Sequence, residues 1–145
     1  MDLIDALIES EALKIAQAQG YAEAEPSLDV DGHDAAHKVG ILASLAHGFW
    51  VKPAQVHTEG IRHVTPLDLE FAYTLGYTIK LLGIVKTAKA GGVQVTTYPA
   101  LIPSGHVLAS VGDVYNGILL RGDVVGDTLY YGQGAGADAT ASAVL

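Results

Sequence analysis

The sequence predicts an α+β fold, with helices packed on one face of a mixed, largely antiparallel sheet. Three observations carry this. Helix-period patterning dominates the early part of the chain, β-branched and apolar runs dominate the later part, and the later runs are joined by short glycine turns. The 145 residues, half of them apolar and 17% charged, read as one domain over 1–145, with material for a core and too few charges for disorder.

The elements follow in order. Leu3, Ile4, Leu7, Ile8, Ala12, Ile15 and Ala16 recur at three- and four-residue spacing, which predicts an amphipathic helix over 3–19. Gly20 stands where a left-handed residue ends a helix. Residues 21–32 form an acidic, turn-rich stretch holding Glu23, Glu25, Asp29 and Asp31, with no basic residue among them to balance the charge. A second helix is expected from about His33 to His47, with Ala35, Val39, Leu42 and Ala46 on one side. A short strand is expected near 55–57. Thr65-Pro66-Leu67-Asp68 supplies a cap, a proline at the first helical position and an acid at the third; it opens a helix that runs to Leu75 and stops at Gly76. Strands are expected at 77–86 and 93–101 around an Ala90-Gly91-Gly92 turn, and at 111–120 and 124–131 around a Gly-Asp turn. A glycine loop, Gly132 to Gly136, then leads into helix-like sequence that ends at Leu145 as though a longer helix were cut there.

The strand composition leaves the second face of the sheet too apolar for water, which predicts a homo-oligomer, most simply a homodimer. Trp50 and the tyrosines read as core and rim packing. His106, Asn116 and Tyr73 read as hydrogen-bonded structural residues. Eight basic against 16 acidic residues give a net charge of −8, which repels nucleic acid and anionic membrane. With no cysteine there is no disulfide framework, thiolate nucleophile or thiolate metal site, which suits a cytoplasmic protein. The start, Met1-Asp2-Leu3-Ile4-Asp5, lacks the basic region of a signal peptide, and no run approaches the length of a membrane span.

Ionisable groups are densest between Glu23 and Lys38. Asp34 and Lys38 are four residues apart on one helix face, with the acid on the N-terminal side. A plain surface pair of this kind contributes about 0.3–0.5 kcal/mol and needs no function. The acidic stretch before it shifts the reading. Crowded carboxylates repel one another unless a cation sits among them, and a substrate ammonium is such a cation. His33 and His37 imitate the helical two-histidine zinc motif, with Asp34 in place of glutamate. Zinc hydrolysis would need a third ligand and a longer acid, so two solvated histidines is the plainer account. Gly132-Gln133-Gly134-Ala135-Gly136 lets the backbone approach a ligand, and the following helix start would present N–H groups to an anion. It is not the dinucleotide fingerprint, which needs G-x-G-x-x-G between a first strand and a helix.

Three blocks, in order and covering nearly the whole chain, resemble the substrate domain of homoserine dehydrogenase. The first runs from Glu11-Ala12-Leu13 through Gly20-Tyr21-Ala22-Glu23, Glu25-Pro26 and Asp29-Val30 to Gly32, Asp34-Ala35-Ala36 and Lys38. The second holds Glu59-Gly60-Ile61, Asp68 and Gly76-Tyr77-Thr78-Ile79-Lys80-Leu81-Leu82, and the third Tyr131-Gly132, Gly134-Ala135-Gly136 and Thr140-Ala141-Ser142-Ala143-Val144. The resemblance implies an NAD(P)-dependent interconversion of L-aspartate 4-semialdehyde and L-homoserine, on the route to threonine and methionine. It implies that Lys38 exchanges the proton at the reacting oxygen beside Asp34. Gly20, Glu23 and Asp29, together with Asp34, would hold the amino acid, and Gly136 would approach the cofactor. Most of the cofactor site would lie in an N-terminal nucleotide-binding domain absent from this chain, so the isolated chain is expected to lack turnover. The family's sodium ligands fall upstream of Met1, and no metal ligand is carried over. Val107 and Ala139 stand where the family commonly has proline. The chemistry agrees with the roles: reducing an aldehyde requires a proton at the developing alkoxide, and a lysine ammonium can supply it. The alternative is a non-catalytic amino-acid-binding or oligomerisation module with the same fold.

Overall fold

The computed structural model describes Ala18 and residues 26–89, 91–134 and 136–145. The expected helix over 3–19, Gly20, and the acids Glu23 and Glu25 lie outside the described residues. Within them the order is α1 (Ser27–Val30), α2 (His33–His47), a 3-10 turn (Pro53–Gln55), β1 (His57–Thr58), α3 (Pro66–Thr74), β2 (Tyr77–Thr87) and β3 (Val93–Pro103). A second 3-10 turn (Val107–Ser110), β4 (Tyr115–Gly122), β5 (Gly126–Gln133) and α4 (Ala137–Val144) complete it.

The α+β class holds, and the strands divide into two sheets. β2 and β3 form a long antiparallel hairpin from Tyr77↔Pro103 to Thr87↔Val93, closed by Gly91 and Gly92 at positive φ. β1 adds to β3 in parallel, pairing His57 with Thr96 and Thr58 with Thr97, so the order is β1-β3-β2. β4 and β5 pair separately, from Tyr115↔Gln133 to Gly122↔Gly126. β4 begins later than expected because the preceding stretch is committed elsewhere, and β5, which pairs with it from Gly126, is later in turn. The His106 ring accepts from the Leu108 N–H (3.2 Å) and Lys80 Nζ donates to the Val111 carbonyl (2.6 Å), which takes that segment out of the ladder. The strand expected near 55–57 is likewise a 3-10 turn followed by the two residues of β1.

α2 lies on the first sheet through Ala36, Val39, Gly40 and Ala43. That stripe is one residue removed from the expected one, and Leu42 and Ala46 face outward. Ile41, Leu42 and Leu45 give the helix a second apolar side, which is exposed, so periodicity could not orient it; small side chains decide, because they allow the closest approach. Ala36, Val39 and Ala43 join Val51, Val56 and Val95 in the core, and Ser44 ties Val51 to the helix by accepting its N–H at 3.0 Å. Gly83 on β2 completes the fit: a Cβ there would stand 2.7 Å from Val39 Cβ. Gly83→Ala is therefore expected to destabilise the chain by about 1–3 kcal/mol, the usual cost of overpacking a close contact. Urea denaturation measures it, and an unchanged midpoint would mean that the helix shifts off the sheet freely.

α3 has the expected start. The Asp68 carboxylate accepts from the Thr65 N–H (2.8 Å), and the Thr65 hydroxyl accepts from the Asp68 N–H (3.2 Å). Only Ala72 of this helix is buried, while Leu67, Leu69, Phe71 and Tyr73 are exposed. Trp50 at 70% and Tyr73 at 83% exposure belong to neither core nor rim, contrary to expectation. His106, in contrast, does cap a turn. Among the described residues no helix is long and apolar enough to cross a membrane.

Candidate active site

Two residues, Asp31 and Gly32, turn the chain from α1 into α2. The Asp31 N–H donates to the Ser27 carbonyl (2.8 Å) and the Gly32 N–H to the Asp29 carbonyl (3.1 Å). Gly32 has φ 78°, a left-handed conformation that favours glycine, and its carbonyl opens α2 by accepting from the Ala36 N–H. Of the residues singled out by sequence, Asp29, Asp34 and Lys38 stand on the two helices that meet at this corner. Lys38 Nζ lies 2.6 Å from Asp34 Oδ2, with the side chains 63% and 42% exposed. Among the described residues the Asp29 carboxylate makes no hydrogen bond or ion pair, and its side chain is exposed. Gly20 and Glu23 lie outside the described residues.

Asp31 corrects the expectation of an acidic stretch without basic partners. Arg62 grips it with both arms of the guanidinium, Nε to Oδ1 at 2.7 Å and Nη2 to Oδ2 at 2.8 Å, and each side chain is one-third exposed. These hydrogen bonds hold the Asp31 carboxyl below its ordinary range, against a smaller opposing effect of burial. The pair's contribution is therefore present above the ordinary aspartate pKa and is lost as pH falls through the lowered value. Sequence reasoning missed Arg62 because the partners are 31 residues apart. The available signal was its place directly after Glu59-Gly60-Ile61, as one of only eight basic residues.

Residues 58–62 lie against this corner along their whole length. The Ile61 N–H donates to the Val30 carbonyl at 2.8 Å, and a Cβ on Gly60 would fall on that carbonyl oxygen and on the Asp31 backbone. A cleft of about 860 Å³ opens beside the clamp, lined in part by Asp31, His33, Arg62, Asp68, Phe71 and Leu101. Neither Asp34 nor Lys38 lines it. His33 and His37 are exposed on α2, and among the described residues no group of three metal-ligating side chains forms.

The glycine loop is anchored to the second sheet. The Gly134 N–H donates to the Val114 carbonyl (3.1 Å), and a Cβ at Gly134 would overlap the Asn116 amide. Gly136 precedes α4 with φ 98°, and among the described residues no side chain caps the helix. A glycine backbone beside open first-turn N–H groups fits the approach of a nicotinamide dinucleotide, whose phosphate and amide oxygens accept such bonds.

A family model for homoserine dehydrogenase matches residues 5–145. Homoserine dehydrogenase from Synechocystis sp. is 52% identical over 139 residues, covering 93% of this chain and 32% of that protein. The Pseudomonas aeruginosa enzyme of the same name is 47% identical over 135 residues, covering 93% and 31%. The crystal structure of a homoserine dehydrogenase from Thiobacillus denitrificans superposes with a TM-score of 0.85 at 48% identity, over 92% of this chain and 31% of that one. The S. aureus homoserine dehydrogenase structure at pH 6.5 gives 0.83 at 47%, over 92% and 34%. The chain thus spans about a third of the length of these relatives. With a matching profile over almost every residue and a matching backbone, the chain belongs to the homoserine dehydrogenase family.

Proposed function

We propose that residues 1–145 are the amino-acid-holding catalytic domain of an NAD(P)-dependent homoserine dehydrogenase, which interconverts L-aspartate 4-semialdehyde and L-homoserine on the route to threonine and methionine. The observation that carries this is the 2.6 Å Lys38–Asp34 pair at the start of α2, reached directly from a corner where Asp29, among the described residues, keeps an unpaired carboxylate. When bound, the nicotinamide supplies hydride exchange at the aldehyde carbon. The chain's residues do the rest. Asp29, with Glu23 and the Gly20 backbone, receives the substrate ammonium. Lys38 gives a proton to the oxygen as it becomes an alkoxide and takes it back in the reverse direction. Asp34 holds the Lys38 amine in place, and Gly136 offers its backbone to the cofactor.

The exposed apolar side chains of α3 and of β4 and β5 support a homodimer, in which a second copy covers them. The cysteine-free composition supports a cytoplasmic setting. Calorimetric titration of the chain with L-homoserine tests the reading. Heat with a 1:1 end point is expected, together with a raised melting temperature. A flat titration with no thermal shift would favour the alternative, an oligomerisation module that has kept the fold.

A further inference from the structure

We propose that Arg62 is a positioning residue for the substrate-holding corner; this rests on the functional reading above. The argument runs outward from the first sheet. β1 is fastened to β3 and continues as the Glu59 N–H donating to the Thr97 carbonyl at 2.8 Å, so residues 58–59 share the rigidity of the ladder. The next three residues then meet the α1–α2 corner in three ways. Gly60 lies flat on the Val30–Asp31 backbone, Ile61 donates to Val30, and Arg62 takes both oxygens of Asp31. Asp31 sits between the two acids that matter. Its own N–H closes the α1 turn that carries Asp29, and the neighbouring Gly32 opens the helix that carries Asp34 and Lys38.

A planar fork on a carboxylate fixes direction as well as distance, which a single lysine contact does not. Arg62 therefore orients α1 against α2, and so sets the spacing of the ammonium-binding acid from the proton-exchanging amine, without itself touching substrate. A shift of an ångström at such a site is enough to lower binding or rate substantially.

The test combines hydrogen exchange with homoserine titration on the full 145-residue chain. Arg62→Gln is expected to speed exchange at the amides of Asp31, Gly32 and Ile61 about tenfold, with the β2–β3 amides unchanged. Homoserine affinity is expected to fall roughly tenfold. Arg62→Lys keeps the charge and the stem and serves if the glutamine variant does not fold; it should move both readouts in the same direction, by less. Unchanged exchange at those amides would overturn the proposal. Faster exchange with unchanged homoserine affinity would also overturn it, leaving Arg62 a structural clamp only. Failure of the functional reading is distinct, because it appears in the unsubstituted chain as an absence of homoserine heat, and the positioning role falls with it.

Discussion

Lys38→Ala, placed in a complete homoserine dehydrogenase carrying this segment, is expected to lower kcat by about 10² or more, the usual worth of a positioned proton donor. The fold should survive. Lys38 is outside the buried stripe of α2, its side chain is 63% exposed, and its one described partner is Asp34. An exposed pair on a helix surface adds little to stability, so activity and folding should separate cleanly. Asp34→Asn should lower turnover in the same manner, since the amine loses the group that holds it. Steady-state kinetics beside circular dichroism decides the matter. Near-normal turnover in Lys38→Ala would remove the amine from its role, and a loss confined to melting temperature in Asp34→Asn would make the pair structural.

Gly60→Ala should damage stability more than Gly83→Ala, by about 3 kcal/mol or more in all. The reason is the kind of atom in the way. At Gly83 the obstacle is a valine side chain, which can turn or move slightly; at Gly60 it is the Val30 carbonyl and the Asp31 backbone. Backbone can yield only by opening the Ile61–Val30 hydrogen bond and pulling Asp31 from Arg62. The measured result should be a lower urea midpoint together with lost homoserine affinity, since the same residues hold the corner. A variant with wild-type stability would show that residues 58–62 do not clamp α1.

What could be read from the sequence was whatever is encoded locally. α2 and α3 have their expected spans because each carries its own punctuation: Gly48 at φ 72° past the end of α2, and the Thr65–Asp68 exchange of hydrogen bonds at the start of α3. The β2–β3 hairpin followed from two apolar runs around adjacent glycines. α1 escaped notice because one helical turn after Pro26 has no periodicity to detect, and its Ser and Asp residues resemble a turn. The facing of α2 was misjudged because Ile41, Leu42 and Leu45 form a second apolar side, so the pattern points two ways, and a glycine on β2 settled it. At the site, an acid-rich approach to a lysine-bearing helix was evident from order alone. Which acids remain unpaired was not, since Arg62 meets Asp31 from 31 residues away.

The division into two sheets has a consequence for how such an enzyme could be tuned. Lys38 and Asp34 ride on the first sheet, whereas Gly136 follows the second, so on the function proposed above the alignment of amino acid with dinucleotide is a property of the joint. The connection is residues 104–114, on which the Lys80 ammonium is seated at the Val111 carbonyl. Changes in the length or composition of this short stretch would re-aim one half of the reaction against the other while leaving both sets of contacts intact.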